Sequence, residues 1–452
     1  MQVRGISPNK EKQLMIFKHD QNGKIVVYTE ANGYKKLKKE EYQNIRKNPI
    51  SSDYLLLRKN SKDPDLKNLS MKDQLTAILI ENEILKLLTN GRINLCKTAS
   101  VPKTALHLFY SFKPPVPEKI TEQETDFFES CKTGTFRYCK KQYKGKGYKY
   151  DFCSEYPSIM RSQSMQFPMG KGELKSLTNT DIMDWKYYKY GIYRVKIANI
   201  DKRLLVENSK NYYTHIDINR ALELKYDVEL IVDDKPNALL YEGKLINGAK
   251  LLKEFIDYLF EFKNAKFGCV KKYINCLWGT LCQTDIFTVN TKESPMIKEG
   301  KTVLTMLPVG NGEDIEGFMM DVCNKEHLYE NDYARIKPFL AAKARYNISK
   351  VIEKNVDNLV YSHTDSVILT EEIKDVKLGS NIGDLKFEEY AENIEVKNKN
   401  TVIGFTKTQK DLITTLNKEL EMADDYRPTT IKYTKDVKMS TKFKTASIGL
   451  FE

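Results

Sequence analysis

The sequence predicts an α/β chain of two to four subdomains, and three observations predict it. Its 452 residues are too many for one compact core. Hydrophobic residues make up 41% and charged residues 30%, which suits globular packing and excludes a disordered chain. Short β-branched and aromatic runs alternate along the chain with stretches of helical period. No apolar run of about 18 residues occurs, and the opening MQVRGISPNK has no apolar segment for a signal peptide. The expectation is a soluble intracellular protein that spans no membrane.

In chain order, SMKDQLTAILIENEILKLL (70–88) has helical spacing, with Ala77, Ile80, Ile84, Leu87 and Leu88 on one face. SFKPPVPEK (111–119) is Pro-rich, unsuited to helix or central strand, and marks a boundary. YKYDF (148–152) reads as a strand leading through SEYP into a short helix from Pro157, a favoured first helical position. Residues 187–200 and 226–232 read as strands. From 250 to 282 the period turns helical: Leu252, Phe255, Ile256, Leu259 and Phe260 share a face, Phe267-Gly268 breaks it, and a second helix follows. Residues 284–320 hold strand-like pieces and 337–354 a helix, and LVYSHTDSVILT (359–370) spells a hairpin with a polar turn.

None of the eight cysteines forms a C-x-x-C pair or stands beside a His cluster, so free thiols are expected and a zinc site is not. The net charge of +12 is local, in KKLKKEEYQNIRK, KKQYKGKGYKY and IKYTKDVKMSTKFK. The last two interleave Lys with Tyr or Phe, as a phosphate-tracking surface with stacking residues would. A solubilising face of a Lys-rich chain reads equally well.

Three segments carry chemistry. YDFCSEYPSIM puts Asp151 at a strand end before a turn into a helix, where a carboxylate can face a metal and N–H groups an anion. GCVKKYINCLWGTLCQ sets Val270, Tyr273, Ile274, Leu277 and Leu281 on one stripe, with Lys271, Asn275 and Trp278 on a second beside it. YSHTDS adds Asp365 in the hairpin turn. Each segment has a plain structural reading: an Asx turn, a core tryptophan, a polar turn. Together they supply two acids for two Mg²⁺ ions with a Lys-bearing helix between them, which in-line nucleotidyl transfer requires.

DFCSEYPSIM, KKYINCLWG and YSHTDS resemble motifs A, B and C of the family B DNA polymerases, in their organellar and viral, protein-primed branch. PFLAAKARYNI (338–348) resembles the helix before motif C, IGDLKFE (382–388) the segment after it, and ITEQETDFFESCKTGTFRY (120–138) the link between exonuclease and polymerase halves. The resemblance implies an α/β right-hand polymerase: a palm with an antiparallel sheet, helical fingers and a reduced thumb. It makes Asp151 and Asp365 the catalytic metal ligands, with Glu388 an auxiliary acid. Amides of Cys153, Ser154, Glu155 and Tyr156 would receive the triphosphate, and Tyr156 would gate the sugar. Lys271 would bind the incoming phosphates, and Asn275 and Trp278 line the base pair. Tyr361 and Thr364 would support the primer end, and Lys397 or Lys399 track its phosphates. Glu155, Cys276, Trp278 and His363 depart from the family's usual Leu, Ser, Tyr and Asp, and Lys399 lacks the usual Tyr two places on.

The expected division is an exonuclease remnant over 1–110, palm over 111–246 and 285–386, fingers over 247–284 and thumb over 387–452, with an insertion at 284–320. In the remnant Asp73 stands where an exonuclease acid would, but the 68 residues before Leu69 leave too little chain for the earlier acidic strands. A fragment or truncated gene product without proofreading is the expectation. The implied reaction adds dNMP from dNTPs to a primer 3′-OH on a DNA template, and a terminal protein primer is a further implied partner. Two alternatives stay open: a lapsed descendant that binds DNA without extending it, and an enzyme that nucleotidylates a protein hydroxyl.

Overall fold

The computed structural model describes residues 11–20, 24–47, 52–59, 66–98, 100–291, 301–311, 314–324, 328–406 and 411–426. The chain opens with β1 (Gln13–His19), β2 (Ile25–Thr29), β3 (Gly33–Leu37), α1 (Lys39–Lys47), β4 (Tyr54–Arg58), α2 (Met71–Thr89), α3 (Leu95–Thr98) and α4 (Val101–Ser111). Past the Pro-rich link come α5 (Glu122–Ser130), β5 (Arg137–Cys139), β6 (Lys144–Phe152) and α6 (Glu155–Met160). Then follow β7 (Gln166–Pro168), β8 (Glu173–Lys175), α7 (Asn179–Ile182), β9 (Gly191–Ile197), β10 (Tyr212–Thr214), α8 (His215–Glu223), β11 (Val228–Leu230), β12 (Ala238–Leu240) and β13 (Leu245–Asn247). Helices α9 (Gly248–Asn264) and α10 (Lys271–Leu281) lead to β14 (Ile286–Thr291), β15 (Lys301–Asn311) and β16 (Asp314–Asn324). The described chain ends with α11 (Ile336–Glu353), β17 (Leu359–His363), β18 (Ser366–Leu369), β19 (Leu385–Asn398), β20 (Thr401–Ile403) and α12 (Leu412–Asp425). Among the described residues no helix is long and apolar enough to cross a membrane. All eight cysteines are free thiols.

Two compact units result. The first is Met1–Pro114, Glu254–Thr280 and Thr408–Glu452; the second is Pro115–Lys253 and Leu281–Lys407. In the first, a sheet of order β3-β2-β1-β4 pairs β1 antiparallel with β2 and parallel with β4. Leu14, Ile16 and Leu55 meet Met71 and Leu75 of α2 in its core. The chain before α2 is long enough for four strands between Gln13 and Arg58, but none of them carries the acids expected of the earlier exonuclease strands. Helix α2 starts where Ser70 accepts from the Asp73 N–H at 3.0 Å and stops where Asn90 turns left-handed at φ 50°.

The second unit is organised by a six-stranded antiparallel sheet of order β20-β19-β6-β18-β17-β5. Tyr150, Val367, Leu369, Leu359 and Leu385 point to one face and pack with Ile348, Val351 and Ile352 of α11. Val360, Ile368, Ile394 and Val396 form a smaller core on the other face. A separate sheet, β10-β9-β12-β8 with β11 against β9, surrounds Tyr193, Val195 and Tyr213. The strand expected over 187–200 is confined to Gly191–Ile197, and Asn199 at φ 58° turns the chain just beyond it. The region 284–320 is a three-stranded sheet, β14-β16-β15, and reaches Asn324. The segment 387–452 divides: β19 and β20 belong to the six-stranded sheet, whereas α12 belongs to the first unit. The basic stretch IKYTKDVKMSTKFK lies outside the described residues.

Buried charge ties the second unit together. Arg335 and Glu124 are 0% and 1% exposed and pair at 2.7 Å and 2.9 Å through two guanidinium nitrogens. Glu124 also accepts from the N–H groups of Thr121 and Gly172 and from the Tyr241 hydroxyl. Burial alone would raise this carboxyl, but the Arg335 guanidinium and these donors hold it below its ordinary value. Arg345 likewise grips Asp217 at 2.9 Å and 3.0 Å and donates to the Gly134 carbonyl, joining α11 to α8. Glu124→Ala would strand Arg335 without its anion. It is expected to destabilise the second unit by about 3–5 kcal/mol, read from its denaturant midpoint.

Candidate functional site

Register in the six-stranded sheet decides which side chains meet. Asp151 on β6 stands opposite Ser366 on β18, which stands opposite His363 on β17 and, beyond it, Arg137 on β5. On the other side Asp151 faces Lys386 of β19. Cross-strand partners share a face, so Arg137, His363, Ser366, Asp151 and Lys386 form one row, on the side away from Tyr150 and α11. Asp365 occupies the two-residue turn between His363 and Ser366, and its carbonyl accepts from the Phe152 N–H at 3.0 Å. The two predicted acids are thus brought to one end of two adjacent strands.

The turn is backbone-strained. Thr364 lies at φ 59°, uncommon for a β-branched residue, and is held there by its N–H on the Phe136 carbonyl at 2.8 Å. His363 is engaged on both sides: its ring stacks parallel to Tyr361 at 6.4 Å, and its Nδ1 lies 3.3 Å from the Thr364 hydroxyl. The Tyr361 hydroxyl donates to the Lys399 carbonyl at 3.1 Å, so motif C also holds the β19–β20 turn. Lys397 and Lys399 are exposed.

Motif A leaves β6 by a corner in which Ser154 is left-handed (φ 57°, ψ 60°). Helix α6 therefore starts at Glu155, two residues before the expected Pro157. Gly383 lies against this corner at φ 90°, donating to the Cys153 carbonyl, and a Cβ there would sit 2.9 Å from that of Ser158. The Cys153 N–H donates to the Asp384 carbonyl at 2.8 Å, so this amide is already committed to the fold and the expectation that it receives a triphosphate is corrected. Burial, then the neighbouring Glu155, pushes the Tyr156 hydroxyl above its ordinary range.

Glu155 was expected to serve a bound nucleotide through its backbone, and its side chain is buried at 1% exposure. Neither carboxyl oxygen meets full hydrogen-bond geometry with a partner among the described residues, although the Asn347 side chain lies close enough to favour the charged form. Burial, reinforced by the charges of Asp365 and Asp151, holds it well above the usual carboxylate range, against smaller pulls from Asn347 and Lys343 of α11. Sequence reasoning assigned no role to Lys343, Asn347 or Arg345, although PFLAAKARYNI places Lys343 and Asn347 one turn apart.

Glu388 does not join the two aspartates. It sits at a bulge in β19, exposed, with its carboxylate 3.1 Å from the Lys386 ammonium. Among the described residues no group of three or more His, Cys, Asp and Glu could hold a metal ion. A pair of carboxylates still fits Mg²⁺, which takes one or two of them and completes its octahedron with water and substrate phosphates. Lys271, Asn275 and Trp278 belong to the first unit, where Tyr273, Ile274 and Leu277 are buried and Lys271 and Asn275 are exposed, the two stripes that the spacing predicts. Asp73 accepts from the Ser70 hydroxyl at 2.7 Å within a helix cap.

Comparison with known proteins gives this frame a context. No family model matches the chain. Over 430 residues, 82% of the chain, it is 23% identical to a probable DNA polymerase of Agaricus bitorquis, and it spans 50% of that relative's length. A structure of phi29 DNA polymerase complexed with single-stranded DNA superposes with a TM-score of 0.51 at 20% identity, covering 75% of this chain and 58% of that one. The likeness establishes a shared fold, and the expected α/β polymerase class holds at that level.

Glu155 also sets a stability test. Its raised value means that its contribution is fully present below the unfolded value of about 4.3 and is lost as pH rises through the folded one. Glu155→Leu is therefore expected to be more stable than wild type at pH 8, by ~1–3 kcal/mol. The gap should narrow toward pH 4, measured by thermal unfolding of both proteins across that range.

Proposed function

For a chain with the fold of the protein-primed family B DNA polymerases, we propose the activity of a DNA-directed DNA polymerase, adding dNMP to a primer 3′-OH. The observation that carries the reading is the register that sets Asp151 opposite Ser366 and so beside the Asp365 turn. Hard oxygen ligands on adjacent strands suit two Mg²⁺ ions shared with a triphosphate. When bound, such ions supply charge neutralisation at the phosphates and activation of the primer hydroxyl. Asp151 and Asp365 would hold them, with Glu388 paired to Lys386 outside that pair.

In this reading Ser154, Glu155 and Tyr156 form the nucleotide side of the corner, with Tyr156 against the sugar. Lys271 binds the triphosphate, and Asn275 and Trp278 cover the nascent pair. Tyr361 and Thr364 seat the primer end, and Lys397 and Lys399 follow its phosphates. Primer-template DNA and dNTPs are the proposed partners, with a terminal protein as an alternative primer. Proofreading is not part of the proposal, because Asp73 is used in a helix cap and β1 carries no acid. Glu155, buried beside Asp151 and Asp365 and held well above the usual carboxylate range, favours one second reading, a lapsed descendant that binds DNA without extending it.

Primer extension with Mg²⁺ on the purified chain separates the two. Asp151→Asn and Asp365→Asn should each abolish extension and leave DNA affinity nearly unchanged, since each removes a metal ligand and no phosphate contact. Activity within about tenfold of wild type (~1.4 kcal/mol of barrier) in either variant would overturn the assignment. His363→Asp restores an acid to the row beside Asp151, so it should preserve or raise activity and lower the Mg²⁺ concentration needed. A Mg²⁺ titration in which this variant loses activity would instead give the histidine a positive role.

A further inference from the structure

Two helices remote in sequence hold the start of α10. Glu419 of α12, 9% exposed, accepts from the Gly268 N–H at 3.0 Å through Oε1 and from the Cys269 N–H at 3.4 Å through Oε2. The Gly268 carbonyl in turn accepts the Lys271 N–H, so one peptide unit links the carboxylate to the backbone of Lys271. Glu81 of α2, 5% exposed, pairs with Lys272 and accepts from the Tyr273 hydroxyl at 3.1 Å. Helix α12 is itself fixed on the same face: Leu416 and Ala423 are buried, and Tyr426 packs edge-on against Phe267 and Phe262 at 5.3 Å and 6.0 Å. Gly268 leaves little room, since a Cβ there would lie 3.1 Å from Glu419 Oε1. All of these residues belong to the first unit.

We infer that Glu419 is a positioning residue for Lys271, through which α12 sets the affinity for the triphosphate. The inner stripe of α10 (Tyr273, Ile274, Leu277) is fully buried without help from Glu419 and keeps the body of the helix in place. The turn that leads into it also buries Cys269 and Val270, but the N–H groups of Gly268 and Cys269 have no preceding turn to bond to, and Lys271 itself is exposed. A carboxylate on these two N–H groups makes charge-assisted bonds aligned with the helix dipole and stops the turn from fraying. Lys271 lies in that turn; Asn275 and Trp278 lie one and two turns further in. Loss of Glu419 therefore disturbs the phosphate contact and spares the contacts to the base pair.

The inference rests on the polymerase reading, and steady-state single-nucleotide addition by the full chain tests both. Glu419→Ala should raise the KM for dNTP about tenfold with kcat changed less than about twofold, as expected for loss of binding that is uniform along the reaction. Base selectivity should stay as in wild type. Glu419→Gln, which keeps one acceptor oxygen, should show a smaller rise, and Gly268→Ala, which crowds the carboxylate, should shift KM in the same direction as Glu419→Ala. Dissociation of dNTP followed by Trp278 fluorescence gives a readout independent of extension. If wild type extends primers and all three variants keep its KM, or lose kcat and KM together with base selectivity, the positioning role falls and the polymerase reading stands. If wild type neither extends nor binds dNTP, the reading falls and the inference with it.

Discussion

The functional geometry depends on one constraint, the antiparallel register among β6, β18 and β17. Side chains alternate along a strand, so a slip of one residue would send Asp151 into the α11 core and Tyr150 out of it. Three features prevent the slip. Tyr150, Val367 and Leu369 must be buried together, the turn at Thr364 allows only two residues, and the Phe152 N–H locks onto the Asp365 carbonyl. Each is modest alone. Together they make the position of two carboxylates a consequence of core packing, and the site needs no rigidity beyond that of the sheet.

The local parts of this were legible in the sequence. Alternation gave the hairpin and the strand ending at Asp151, and helical period gave α2, α9, α10 and α11, with the break at Gly268. The two stripes of α10 came out as spacing requires, because a helix packed on one side must sort its residues by face. What could not be read was pairing at long range. Of the four short strands before α2, β3 (GYKKL) is mostly polar and buries only its last residue, whereas β1, β2 and β4 are apolar runs whose pairing no single one of them records. The same holds for Glu419, whose partners lie about 150 positions away and leave no periodic trace.

The candidate site was legible to the same depth. The order Asp151, Lys271, Asp365 was visible in the motifs, but committed backbone groups were not. The Cys153 amide is occupied by Asp384, a contact that only the folded loop reveals. Glu388 reads as an acid near the site, yet the bulge at that position and the ion pair with Lys386 take it out of any cluster with the aspartates. Bulges depend on how two strands are matched in length, which no single strand records.

The two departures at acidic positions have opposite formal signs but do not cancel. His363 removes a carboxylate from the row that contains Asp151, whereas Glu155 adds one in place of an aliphatic side chain. The added acid contributes little charge, because burial and the two aspartates themselves hold it well above the usual carboxylate range. The row is also flanked by cations, Arg137 at one end and Lys386 at the other. The negative charge at this end of the sheet therefore comes almost wholly from Asp151 and Asp365. Adding charge at Glu155 would mean ionising a carboxyl that is 1% exposed and lies beside two aspartates, with only Asn347 and Lys343 pulling the other way, a cost the fold opposes. Adding it at position 363 meets no such barrier, since that side chain is only partly buried. Position 363, not 155, is thus where the charge of this site is free to change.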